Sequence, residues 1–180
     1  GYNHKLLINK KIINYNFRDK FINSKNTILN NFLSSSTNPS AIFYVFKKSF
    51  LKNNNIFFKK GIHEDILFMF KVFFYVRKKK YIDSTIYIKN NIKSSIINNI
   101  DNRRITDYFN ALRDVNNFLI KNSVKRKHKS IKNLYLKGQS GYIYQIVYFI
   151  TENKLSYKKS INLLLFTYKK ALKIFELDKL

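Results

Sequence analysis

An excess of 25 positive charges, 35 Lys and Arg against 10 Asp and Glu, constrains this 180-residue chain more than any other feature. A compact state that gathers so many like charges repels itself, and the excess is far larger than solubility requires. The fold therefore calls for a polyanion to compensate it. Nucleic acid is the default choice. A membrane surface competes, but the basic residues run from Lys5 to Lys179 and do not collect in one juxtamembrane cluster. A hydrophobic content of 45% and an aromatic content of 17% argue for folding, because disordered chains lack the residues that offset the entropy of ordering. The length suits one core of moderate size.

Composition adds a hint of origin. Lys, Asn, Ile, Phe and Tyr dominate, with four Gly, one Pro and no Trp. These are the residues of A/T-rich codons, which points to an organellar genome, mitochondrial first and plastid-like second. The absence of Cys removes disulfides, thiol nucleophiles and Cys-based zinc sites. The longest uncharged stretch, Asn26 to Phe46, has bilayer length but carries Ser34, Ser35, Ser36, Thr37, Asn38 and Pro39 at its centre. It is expected to be a linker, with no membrane span. Gly1 stands where an initiator Met would, so the chain is expected to be processed or incomplete.

Apolar periodicity predicts a mainly α fold. Phe21, Ile22, Ile28, Leu29, Phe32 and Leu33 mark one helix, which the Ser34–Ser40 run stops, and Ala41 to Leu51 is a short apolar segment. Residues 1–60 are read as an N-terminal extension and 61–180 as a helical RNA-binding domain, with Gly61 as punctuation. Ile62, Ile66, Leu67, Phe70, Phe73 and Phe74 mark the next helix, with Glu64 and Asp65 in its first turn and Arg77 to Lys80 at its end. Further helices are expected over Ile82–Ile96 and Ile105–Val115. Two more follow Gly141, carried by Ile143, Ile146, Val147 and Ile150, and by Ile161, Leu164, Leu165, Tyr168, Leu172 and Phe175, with Ser156 as N-cap of the last. Between these groups, Phe118–Val124 and Ser130–Leu136 flank Lys125-Arg126-Lys127-His128-Lys129. They suggest a protruding β-hairpin with a basic tip, although no Asn-Gly or Gly-Gly turn supports it.

Candidate chemistry is sparse. His63-Glu64-Asp65 joins an imidazole to two carboxylates, but adjacent helical residues do not face one point, and acids stabilising a helix start is the simpler account. No HExxH, GxSxG or phosphate-loop pattern occurs, so no enzyme activity, metal or cofactor is expected. The cations that would meet phosphates are Arg77, Lys78, Lys79, Lys80, Arg103, Arg104, Lys121, Lys125, Arg126, Lys127, His128, Lys129, Lys132 and Lys137. The competing account of the run at Lys125–Lys129 is a merely solvated charge cluster. The tyrosines are suited to stacking on unpaired bases, but their helical spacing places most of them in the core.

From about His63 onward the order of elements resembles the small-subunit ribosomal protein S-seven family. The family's Gly-Lys-Lys-Ser-x-Ala-Glu-x-Ile-Val-Tyr pattern corresponds to Arg77-Lys78-Lys79-Lys80-Tyr81-Ile82-Asp83-Ser84-Thr85-Ile86-Tyr87, and its Phe-x-x-Ala-Leu-x-Asn-Val to Tyr108-Phe109-Asn110-Ala111-Leu112-Arg113-Asp114-Val115. A basic hairpin follows at matching spacing over Phe118–Leu136. Trp-Ile-Val is met by Tyr148-Phe149-Ile150, and Lys-Ser-x-x-Leu by Lys159-Ser160-Ile161-Asn162-Leu163. Arg126 and Lys127 stand where the family has paired glycines at the hairpin tip. Its Arg-rich segment after the hairpin is reduced to Lys137-Gly138-Gln139-Ser140-Gly141, and its long basic C-terminal helix has no counterpart before Leu180.

The resemblance implies a helical bundle with a protruding basic hairpin. It implies binding to the 3′ major domain of small-subunit rRNA, contacts with neighbouring small-subunit ribosomal proteins, and a hairpin near messenger RNA or exit-site tRNA. The expected function is thus a structural constituent of an organellar small ribosomal subunit. An organellar RNA-binding accessory or maturation factor is the alternative, and a membrane-associated structural protein a third.

Overall fold

The computed structural model describes residues 4–8, 11–15, 40–78, 88–90, 100–122 and 142–176. Among them the fold is mainly helical. The chain divides into two compact units, one of residues 1–60 and 64–93, the other of 61–63 and 94–180. At Gly61, where the sequence places a boundary, the chain enters the second unit for three residues before returning to the first.

The first unit contains strands β1 (His4–Ile8) and β2 (Lys11–Tyr15), paired antiparallel with Leu6 opposite Ile13. Strand β3 (Ile88–Asn90) pairs parallel to β1, giving the order β2-β1-β3. The helix expected over Ile82–Ile96 is corrected at these three residues, which are strand. The physical reason lies in Ile88, whose branched side chain disfavours helix and suits a pleated ladder. The helix expected at Phe21–Leu33 lies outside the described residues.

The Ala41–Leu51 segment forms a 3-10 turn (Ala41–Phe43) and helix α1 (Lys48–Asn53). A Schellman motif ends α1: Ile56 N–H donates to the Leu51 carbonyl at 2.9 Å and Asn55 N–H to that of Lys52 at 3.1 Å, with Asn55 left-handed at φ 52°. This turn drives Ile56 into the core. Helix α2 (Asp65–Tyr75) follows, and it buries Leu67, Phe68, Met69, Phe70, Val72 and Phe73, more than one stripe. Burying each such large side chain stabilises by roughly 1.5–3 kcal/mol, so α2 is the core of its unit. The Asp65 carboxylate accepts from the Ser40 hydroxyl and the Ala41 amide, tying the start of α2 to the 3-10 turn; its burial nevertheless raises its pKa above the usual value.

The second unit is built on helix α3 (Asn102–Lys121), which starts where the Asp101 side chain accepts from Arg104 N–H at 2.7 Å. Ile105, Phe109, Leu112, Val115 and Leu119 recur every three to four residues and form one buried stripe. The helix runs on through Phe118 to Lys121 and ends at Asn122, whose side-chain amide donates to the Phe118 carbonyl at 2.7 Å. The expected first strand of the basic hairpin is therefore corrected at Phe118–Lys121, which is the last turn of α3: Phe118 and Leu119 continue the apolar period of the helix. Residues 123–141 lie outside the described residues.

Helix α4 spans residues 142–152. It closes in a second Schellman motif, with Leu155 N–H donating to Ile150, Lys154 N–H to Thr151, and Lys154 at φ 46°. Helix α5 (Tyr157–Glu176) begins right after Ser156, the expected cap position, and packs on α3.

The buried face of α5 differs from expectation. Leu163, Thr167 and Ala171 are buried, whereas Leu164, Leu165, Tyr168 and Leu172 are exposed. Both stripes have helical spacing, and the contact falls on the one with the small residues Thr167 and Ala171, which permit close approach; Thr167 also satisfies its hydroxyl on the Leu163 carbonyl at 2.7 Å. In α4, likewise, Ile146 is buried while Ile143 and Val147 are exposed.

Candidate nucleic-acid interface

The described cations that meet solvent lie in both units. In the first, Arg77 and Lys78 follow α2, which stops where Val76 turns extended, and both are exposed. Lys79 and Lys80 lie outside the described residues. In the second, Arg103 and Lys121 are exposed at opposite ends of α3, roughly 27 Å apart by the helical rise, too far to meet at one point. Lys125, Arg126, Lys127, His128, Lys129, Lys132 and Lys137 lie outside the described residues.

Arg104 is a correction. At 6% exposure its side chain is core, not an RNA-facing cation. It directly follows exposed Arg103, and the 100° turn between them sends Arg104 toward His63 and Tyr142. There the second unit holds a polar cluster. Tyr108 and Tyr142 stack in parallel at 3.9 Å, and the His63 ring meets both edge-on at 5.2 and 5.6 Å. Ile62 N–H donates to the Asp107 carboxylate at 3.0 Å, which pins residues 61–63 to α3. Gly61 makes this possible with φ 144°, a conformation closed to residues with a Cβ. His63 follows at φ 66°.

The His63 pKa falls to about 4, chiefly through burial and then through the Arg104 charge, with Asp107 opposing. Burial pushes the Tyr142 hydroxyl up to about 12 and raises that of Tyr108 further. These groups stay neutral near pH 7. Of the His63-Glu64-Asp65 cluster, His63 belongs to one compact unit and Glu64 and Asp65 to the other, and no metal-binding group of His, Asp and Glu occurs among the described residues. The cluster is a clamp that holds residues 61–63 against α3.

The clamp predicts a pH dependence. A histidine whose pKa is about 6.5 unfolded and about 4 folded binds fewer protons in the native state between those values, so stability rises with pH across that window. The contribution is complete above about pH 6.5 and is lost as pH falls toward 4. We expect His63→Asn, which tolerates a positive φ, to remove on the order of 2 kcal/mol of this dependence. Urea melts of both proteins between pH 4 and 7 check it, and parallel pH profiles would refute it.

Periodicity missed a set of exposed rings. Tyr142 is core, but Tyr144, Tyr148, Tyr157 and Tyr168 are 56–82% exposed. Tyr144 and Tyr148 share a face of α4, and on α5 exposed Lys158, Lys169 and Lys173 lie beside the stripe of Leu164, Leu165, Tyr168 and Leu172. Rings with interleaved cations suit stacking on unpaired bases and pairing with phosphates. The only sequence signal was a surplus: α4 and α5 carry more apolar residues than one buried stripe can use. No described helix is long and apolar enough to cross a membrane. The chain matches no family model, no curated protein and no solved structure.

Proposed function

We propose that the chain is a structural RNA-binding constituent of the small subunit of an organellar ribosome, mitochondrial in the first instance. The observation that carries this is the charge: a 25-cation surplus on a chain with a packed helical core, with exposed Arg77, Lys78, Arg103 and Lys121 distributed over both units. A surface with many separate cationic points is what binding along a folded RNA requires.

The resemblance to the S-seven family supports the choice of RNA. The Tyr108–Val115 stretch lies within α3, and the basic run at Lys125–Lys129 begins just past its end, in the family's order. On this proposal the protein binds the 3′ major domain of small-subunit rRNA and helps organise the head of the subunit. The basic run Lys125–Lys129 reaches toward messenger RNA or exit-site tRNA. The exposed apolar stripe of α5 suits a neighbouring small-subunit protein.

Sedimentation tests the proposal. A constituent is expected to travel with organellar small subunits through a gradient at high salt, because many contacts and buried surface survive the loss of counterion-driven affinity. Release into the top fractions under those conditions would instead identify an accessory or maturation factor, and recovery in carbonate-washed membranes would refute both.

A further inference from the structure

In the first unit a continuous series of aromatic contacts runs from the core to the surface. Phe73 meets Tyr44 edge-on at 5.5 Å, Tyr44 lies 6.2 Å from Phe46, and Phe46 meets Phe68 edge-on at 5.5 Å. Phe68 then stacks on Phe58 with ring centres 3.9 Å apart and planes within 7°. Phe68 is 2% exposed and Phe58 is 54% exposed. One face of the Phe58 ring is thus fixed against the core. The other is open to solvent.

The ring is held there by the backbone as well. The Schellman motif after α1 buries Ile56 two residues earlier, so the segment that carries Phe58 is anchored at both Ile56 and Phe68. An exposed phenyl ring in a fixed orientation has already lost the rotamer freedom that ligand binding would otherwise remove. Its surroundings are cationic: Lys59 and Lys60 follow directly, Lys47, Lys48 and Lys52 are exposed in the same unit, and no Asp or Glu occurs between Asp19 and Glu64. A flat apolar face in a segment with five exposed lysines complements a base with its phosphates; the nearest acids in sequence are Glu64 and Asp65, and Asp65 is already held by Ser40 and Ala41.

We propose that the open face of Phe58 is a stacking platform for one unpaired base of RNA, with Lys60 holding a phosphate beside it. This rests on the RNA-binding function proposed above and extends it to the N-terminal segment, which the family resemblance does not cover.

The chain has no Trp, so Phe58→Trp introduces a single fluorescent reporter at the site. The full-length protein, Phe58→Trp and Phe58→Leu are titrated with a single-stranded oligoadenylate and with an abasic oligonucleotide of equal length and charge. Circular dichroism checks that each variant folds. Oligoadenylate is expected to quench the indole emission of the Phe58→Trp protein and the abasic strand to leave it unchanged. Phe58→Leu is expected to bind oligoadenylate roughly five- to a hundredfold more weakly, the span for losing one base stack, with abasic binding unaffected. Unquenched indole emission in a complex that forms normally would overturn the platform while leaving RNA binding by the rest of the protein intact, and would point to a protein partner for this ring. If wild type binds neither strand, the RNA-binding function itself falls. Should Phe58→Leu fail to fold, the ring-retaining Phe58→Trp variant alone decides between the two.

Discussion

Replacing Lys125, Arg126, Lys127 and Lys129 together with alanine is expected to flatten the slope of log affinity for RNA against log salt by roughly two to three units. Each cation that neutralises a phosphate on a single strand contributes about 0.7 to that slope, so four contacts give close to the upper value and three give about two. Affinity at low salt should fall by orders of magnitude, while at high salt wild type and variant should converge. The fold should survive, because α3 closes on its own Asn122 cap before the run begins. Filter binding over a salt series measures the slope. An unchanged slope would show that the run is solvated, and would leave the RNA contacts to Arg103, Lys121 and the exposed tyrosines.

Phe70→Ala carries the largest expected cost in stability, about 3–5 kcal/mol, against total stabilities of about 5–15 kcal/mol for a typical domain. Phe70 is fully buried at the middle of α2, the helix with six buried side chains. Removing its ring takes away the transfer free energy of the phenyl group and leaves a void in a close-packed core. Phe57→Ala is the matched control. Its ring is 59% exposed and its truncation should change stability by no more than about 0.5 kcal/mol. Urea melts at high salt, where the repulsion among 25 surplus cations is screened, compare the two. Equal midpoints would mean that α2 is not the organising core of its unit.

Residues of this chain differ in how far their roles were legible before any tertiary structure. The helical stretch from Ile66 to Phe74, the stripe from Ile105 to Val115 and the helix after Ser156 were readable as sequence, because a 3.6-residue apolar period is a local property that tertiary contacts do not need to create. The same holds for the charge surplus and for the want of catalytic patterns, which are sums and spacings along the chain.

Tertiary structure decided which of two possible faces each helix buries. On α5 the stripe of Leu164, Leu165, Tyr168 and Leu172 is the more hydrophobic, yet the stripe through Leu163, Thr167 and Ala171 is the buried one, because helix packing rewards close approach as well as hydrophobicity. Tertiary structure also separated Arg103 from Arg104. The two are chemically identical neighbours, and only their angle on α3 makes one a surface cation and the other a core residue beside His63 and Tyr142. It took Phe118 from an expected strand into α3, since one more turn of a helix already packed on its apolar face costs less than starting a new element. And it gave Phe58 its open face: composition provides a Phe between a Phe and a Lys, but only the anchoring of Ile56 and the stack on Phe68 turn that ring outward in a fixed plane. Period and charge are encoded locally, so sequence alone determined them; the choice of face depends on what the rest of the chain brings against it, which only the folded molecule contains.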